Sequence, residues 1–210
     1  MFTQKQKSLI IGSVLGDGYL TKPKVHKQTG KPNGHTQLSI EHNGNQLEYL
    51  IYKRELFINN GFKVSKIYDV SRKYPSYRFN VTLGKEGSIL RHQLYPNNDK
   101  TITRHHLNML DAEGLAIWFM DDGNKRVRWL SDGRCGGRSL GISTHGFSLE
   151  EHEIFIKYFK TVWNVEVKAY KDKDYYRLNM NATNAQIFIP IIHPYICESM
   201  KYKIDLEYKI

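Results

Sequence analysis

The chain has 210 residues, room for one large domain or two of about 100, and carries a formal net charge of +10 at pH 7. Its mean hydropathy is −0.55, and no apolar run approaches the roughly 20 residues of a membrane-spanning helix, so no membrane partner is expected. The cationic excess points instead to a polyanion, of which nucleic acid is the commonest.

The first ten residues, MFTQKQKSLI, lack the apolar core and cleavage site of a secretory signal. Cys135 and Cys197 stand far apart without metal-ligand spacing, so both read as free thiols of a reducing, intracellular compartment, bacterial cytoplasm or organelle. The first predicted element is the run LIIGSVLGDGYL, Leu9 to Leu20, a helix ended by Gly16 or Gly18. Asp17 then sits at a helix C-terminus, where the backbone dipole disfavours a carboxylate by about 0.3–1 kcal/mol. Such an acid needs open water or a cation. KQTGKPNG, Lys27 to Gly34, reads as a hairpin tip, and Gln37 to Glu41 alternates as a strand with Leu38 and Ile40 on one face. Asn45 to Glu48 has the cap-x-x-Glu form of a helix start. The strand Tyr77-Arg78-Phe79-Asn80 and then Lys100, in NNDKTI, close the first half.

The same order then recurs. LAIWFMDDGN carries Asp122, 105 positions after Asp17, and LGISTHG follows LSIEHNG at 102. Ser148 to Glu151 repeats the helix start at 103, Tyr176-Arg177-Leu178-Asn179 the strand at 99, and Lys203 follows Lys100 at 103. Features kept in order at nearly constant separation mark an internal duplication. Each half reads helix, strand, strand, helix, strands, helix, giving an α+β fold of two pseudo-symmetric halves, 1–108 and 109–210. His105-His106 reads as a loop pair, and Trp118, Trp129 and Trp163 as packing residues.

GSVLGDG and WFMDDG resemble the two motifs of single-chain LAGLIDADG homing endonucleases, and the resemblance spans essentially the whole chain. It implies an αββαββα unit used twice, with the motif helices paired at the centre and a β-sheet saddle for DNA. It further implies a monomeric, site-specific endonuclease that breaks both strands of a DNA target during intron homing. Because the halves differ in sequence, that target is expected to be long and not palindromic. Two alternatives stay open: an RNA maturase that aids intron splicing, and a cleavage-deficient DNA-binding protein on the same fold. By resemblance, Asp17 and Asp122 bind Mg²⁺, joined by the carbonyls of Gly16 and Asp121. Mn²⁺ is expected to substitute, and Ca²⁺ to bind without supporting cleavage. Lys100 and Lys203 match the family's basic active-site residues and would stabilise charge on the phosphate. DNA contacts are expected on strands and hairpin tips, where a β-ribbon fits the major groove. The candidates are Lys22, Lys24, Lys27, Gln37, Arg72, Arg78, Lys125, Arg126, Arg128, Arg134, Arg138, Lys171 and Arg177, with alternation aiming about half of them at DNA. One departure stands out. Gly12 and Gly16 of the first motif helix correspond to Ile117 and Asp121 of the second, so the helix pair is expected to pack asymmetrically.

Overall fold

The computed structural model of the protein describes residues 1–23, 35–129, 131–133 and 135–205. Helix α1 (Gln4–Leu15) opens on a capping box between Thr3 and Gln6. It leads into β1 (Gly18–Leu20), β2 (Gln37–Asn43), α2 (Leu47–Asn59), β3 (Lys63–Val64), β4 (Tyr68–Asp69), β5 (Ser76–Thr82) and α3 (Gly84–Leu94). A short helix, α4 (Arg104–Leu107), precedes the second half. That half comprises α5 (Ala112–Asp122), β6 (Gly123–Trp129), β7 (Cys135–Ile142), α6 (Leu149–Tyr158), β8 (Lys168–Asp172), β9 (Tyr175–Asn181) and α7 (Ala182–Ile192). No described helix is long and apolar enough to cross a membrane.

Two antiparallel sheets result, one with β1, β2 and β5 in order and β3 and β4 both paired to β5, the other ordered β6-β7-β9-β8. Their registers repeat. Leu38 opposes Val81 and Ile40 opposes Phe79 in the first sheet; Leu140 opposes Met180 and Ile142 opposes Leu178 in the second. All eight side chains are buried, because the period-two alternation turns them toward the helices. The edges differ. Where the second half has the continuous strand β8, the first has two fragments, and between them the Ser65 hydroxyl accepts the Asn80 N–H that a strand would have used.

The two cap-x-x-Glu segments also part company. Ser148 and Glu151 form the expected capping box. In the first half no such box forms: Gly44–Gln46 is a 3₁₀ turn, and the Gln46 amide lies 3.2 Å from His42 Nδ1.

Helix α1 is buried on every side from Ser8 to Leu15, beyond its polar first turn, and α5 from Gly114 to Met120, as befits the centre of the molecule. A methyl group on Gly12 would lie 2.2 Å from the carbonyl oxygen of Gly114, so the backbones themselves touch. Gly114, rather than the sequence-equivalent Ile117, supplies the small partner, and the pairing is asymmetric as expected. Further along, Gly16 meets its own equivalent, Asp121: a Cβ there would lie 2.4 Å from Asp121 Cβ. Equivalent positions can touch only at the pseudo-twofold axis, which therefore passes between these two residues. At the other end Asp111 caps α5 through the Gly114 N–H at 2.9 Å and accepts the Ser8 hydroxyl of α1 at 2.6 Å.

Gly114→Ala is expected to destabilise the fold by about 1–3 kcal/mol, because the added methyl meets the Ser8 hydroxyl at 2.2 Å and, at 2.6 Å, the Ser8 carbonyl oxygen, a backbone atom that a rotamer change cannot move. Gly146→Ala, where nothing lies within 4 Å, should stay within about 0.5 kcal/mol in the same denaturant titration.

Candidate active site at the ends of the two central helices

Asp17 lies two residues past the end of α1, and Asp122 is the last residue of α5. The carbonyls that end each helix are satisfied by a lysine. Lys100 Nζ donates to Val14 and Leu15 at 3.0 and 3.3 Å, and Lys203 Nζ to Met120 and Asp121 at 2.5 and 2.9 Å. A cation is the favoured group at a helix C-terminus. Burial lowers both ammonium pKa values from the usual lysine value, and the charges of Asp17, Asp121 and Asp122 oppose that shift. The acids move the other way. Partial burial and then the Asp121 charge raise Asp17. Burial, then Asp121 and Asp17, push Asp122 up to about 7. The four residues singled out in the sequence thus meet in one electrostatically coupled cluster.

Four further groups join them that sequence reasoning missed. The Asp121 carboxylate is fully enclosed and accepts Lys53 Nζ on both oxygens, at 2.9 and 2.8 Å. It also accepts the Tyr49 hydroxyl at 2.8 Å and the backbone N–H of Asp17 at 3.1 Å. His42 Nδ1 stands 3.4 Å from the Asp17 carboxylate. Burial and the Lys53 charge hold the imidazole pKa near 4, so it is neutral at physiological pH. Burial and the Asp121 charge raise Tyr49 well above the ordinary phenol value and keep it a donor. A signal existed for two of these. His42 continues the inward alternation Leu38-Ile40, and Lys53 sits in the buried stripe Tyr49-Leu50-Lys53-Phe57 of α2.

Asp17, His42 and Asp121 offer ligand atoms within 4.8 Å of one another. Asp121 is nonetheless a poor ligand, since both its oxygens already accept an ammonium group, and its carbonyl accepts Lys203. Among the described residues no donor reaches the Asp122 carboxylate. The open oxygens are those of Asp17 and Asp122, two hard anionic donors that suit Mg²⁺.

Each lysine is presented by a segment braced against the opposite half. Beside Lys100, the Thr101 hydroxyl and Ile102 N–H donate to Glu151 of α6 at 2.9 and 2.7 Å, and the Lys100 ammonium lies 5.2 Å over the Phe147 ring. The Tyr195 carbonyl, upstream of Lys203, accepts the Tyr52 hydroxyl of α2 at 3.1 Å.

The expected DNA contacts divide by strand register. Gln37, Arg78, Arg126 and Arg177 alternate with the buried residues and belong to the outer faces, away from the helices. Lys125, Arg138 and Lys171 share the register of Leu140 and Leu178, on the other face. Lys125 Nζ there donates to the Asp205 carbonyl at 3.0 Å. Arg78 is paired with Glu41, and Arg177 with Asp172 at 2.7 Å. Arg126 and Arg177 lie close enough to repel, and Arg177 Nε is buried without a partner. Lys22 and Arg72 are exposed beside strand ends. Lys24, Lys27 and Arg134, the tip Lys27–Gly34 and the side chain of Arg128 lie outside the described residues. The expected His105-His106 loop is helix α4, where His106 Nδ1 accepts the Thr103 N–H at 3.2 Å. Trp118 packs on Phe155 and Phe159.

Lys53→Met strands a buried carboxylate and is expected to cost about 3–5 kcal/mol; adding Asp121→Ala to the same chain should restore most of that stability in urea denaturation. With metal chelated, folded Asp122 keeps its proton up to about 7, whereas the unfolded chain releases it near 3.8. The folded state binds that proton more tightly, so the Asp122 contribution to stability falls as pH rises from about 4 to about 7 and then levels, while His42, held near 4 in the fold, contributes the opposite slope up to its unfolded value of 6.5. Asp122→Asn removes the falling contribution, so urea denaturation of that variant should show stability rising relative to the native chain as pH goes from about 4 to about 7.

Residues 7–188 match the LAGLIDADG DNA endonuclease family. The chain is 27% identical over 212 residues to a probable intron-encoded endonuclease 1 of Wickerhamomyces canadensis, covering 95% of this chain and 83% of that protein. It is 25% identical over 205 residues to a cytochrome b mRNA maturase bI2 of Debaryomyces hansenii, covering 93% and 72%. Its fold is similar to that of the homing endonuclease I-WcaI solved on its DNA recognition sequence, with a TM-score of 0.78 at 24% identity, covering 98% of this chain and 88% of that one. With two motif helices paired through glycine and an acid at the end of each, the chain belongs to the LAGLIDADG DNA endonuclease family.

Proposed function

We propose that this chain is a monomeric, Mg²⁺-dependent endonuclease that breaks both strands of a long, non-palindromic DNA site. One observation carries the reading: two open carboxylates and two lysines converge at two helix ends on the pseudo-twofold axis between the sheets. The duplication supplies one acid and one lysine for each strand.

Asp17 and Asp122 would hold the metal with the Gly16 carbonyl adjoining, while the Asp121 carbonyl, expected to join them, is engaged by Lys203. When bound, such an ion supplies charge stabilisation to the phosphate and activates a water at neutral pH. The protein's own groups do the rest. A carboxyl titrating near 7 is ready to ionise on binding a cation, which places negative charge where a divalent ion is gripped. The buried ammonium groups of Lys100 and Lys203 stand ready to balance charge that builds on the pentacoordinate phosphate. Neutral His42 can orient a water by accepting its proton or donating one, without adding a charge.

Gln37, Arg78, Arg126 and Arg177 are proposed to face the duplex, with Lys22 and Arg72 at the rim. The likeness to a maturase supports a second reading, in which the same chain binds intron RNA.

Incubation of the protein with a randomised duplex library and Mg²⁺, followed by sequencing of cut ends, tests the assignment; a single recovered site is the expected result, and no cutting refutes it. On that site Asp17→Asn or Asp122→Asn should lower cleavage by about a hundredfold or more and change binding by less than about threefold. Affinity should fall at least about a hundredfold between ~50 and ~200 mM salt, as phosphate contacts release counterions. Retention of intron RNA with equal affinity and no DNA cutting would favour the maturase.

A further inference from the structure

The pseudo-twofold axis passes between Gly16 and Asp121, and the two residues are unlike in the extreme. One has no side chain, and the other projects a carboxylate through the space that the missing Cβ leaves open. That carboxylate leans into the first half alone, onto Tyr49 and Lys53 of α2. The duplication puts His152 and Ile156 at the matching positions of α6. His152 is turned elsewhere, with Nε2 2.8 Å from the Thr144 hydroxyl and Nδ1 2.7 Å from the Ser148 carbonyl. Thr144 is in turn the counterpart of His42, so the imidazole beside Asp17 has no equivalent beside Asp122.

Stability gives little reason for such a pair. Two fully enclosed charges forfeit hydration, and apolar replacements of similar volume often hold a fold equally well. Geometry gives a reason. The Asp121 carboxylate accepts the Asp17 N–H at 3.1 Å, so the Lys53–Asp121 pair fixes the backbone that carries one of the two acids. The Asp17 carboxylate then faces His42. Neither carboxylate accepts a hydrogen bond among the described residues, but Asp122 has no imidazole beside it and no carboxylate holding its own N–H.

We infer that Lys53 and Asp121 are positioning residues for Asp17, and that they make the two cutting compartments unequal, so that the strand served by Asp17 is cut first. The inference rests on the nuclease reading and deepens it. A group already held in its working geometry loses less freedom on reaching the transition state, and the looser Asp122 compartment follows.

The test uses the recovered target with each strand carrying a different 5′ label, cut by the native chain and by Lys53→Met/Asp121→Ala. The double variant removes both charges together. The native chain is expected to accumulate a nick in one strand. In the variant that strand should slow by about tenfold, the other should change by less than about twofold, and the order should disappear. Amide hydrogen exchange at Asp17, followed on both proteins without DNA, should accelerate in the variant. Equal strand rates in the native chain overturn the inference, as does an order that survives in the variant. A native chain that cuts neither strand removes the nuclease reading and the ordering with it. In that case unchanged exchange at Asp17 would also overturn the positioning role.

Discussion

Two helices can bring the acids at their ends into one electrostatic field only if their backbones touch. Gly12 against Gly114 and Gly16 against Asp121 meet that condition, and most of the architecture follows from it. An ordinary helix pair packs with axes 8–10 Å apart, held there by side chains. Glycine removes the spacer. Close approach then creates its own difficulty, because two C-terminal dipoles and several carboxylates crowd one region. Lys100 and Lys203, each on the last carbonyls of one helix, are the answer within the protein; burial first, and then the charges of Asp121 and Asp17, still raise the Asp122 pKa against them.

The division of labour between layers follows. Strand alternation buries Leu38, Ile40, Phe79 and their counterparts against the helices, which leaves the outer faces free for polar and basic groups. The same alternation carries His42 inward, so the strand that builds the core also delivers an imidazole to the helix ends. Burial then decides its chemistry, holding it neutral where an exposed histidine would titrate near neutral pH. Lys100 and Lys203 are not free to wander, since the segments that bear them are tied to α6 and α2 of the opposite halves. The halves are therefore interlocked at the site as well as along the central helices.

Much of this was legible in the sequence, for a physical reason: duplication constrains two stretches of chain to obey one geometry. The repeated registers of Leu38 and Leu140 follow directly from the repeated alternation. The acids were legible because an aspartate at a helix C-terminus is unfavourable unless something compensates it. The pair of Asp121 with Lys53 was not, because its partners are 68 positions apart and meet only after the helices have docked. Read locally, Asp121 was a backbone carbonyl beside a more conspicuous acid. The failed capping box at Asn45 has a more local origin, since Gly44–Gln46 turns as a 3₁₀ helix and the Gln46 amide reaches back to His42, four residues earlier. The broken edge strand turns on one hydroxyl, that of Ser65, standing in for a backbone acceptor.

The unequal axis bears on how such proteins are recombined. A chimaera that joins the first half of this chain to a foreign second half would inherit Lys53 without its counter-ion, unless the donor also supplies an acid at the position of Asp121. The reverse graft would enclose a carboxylate with nothing to neutralise it. The seam for modular exchange is thus a charge boundary, and compatible parents are those whose α2 and second motif helix were matched in the same molecule.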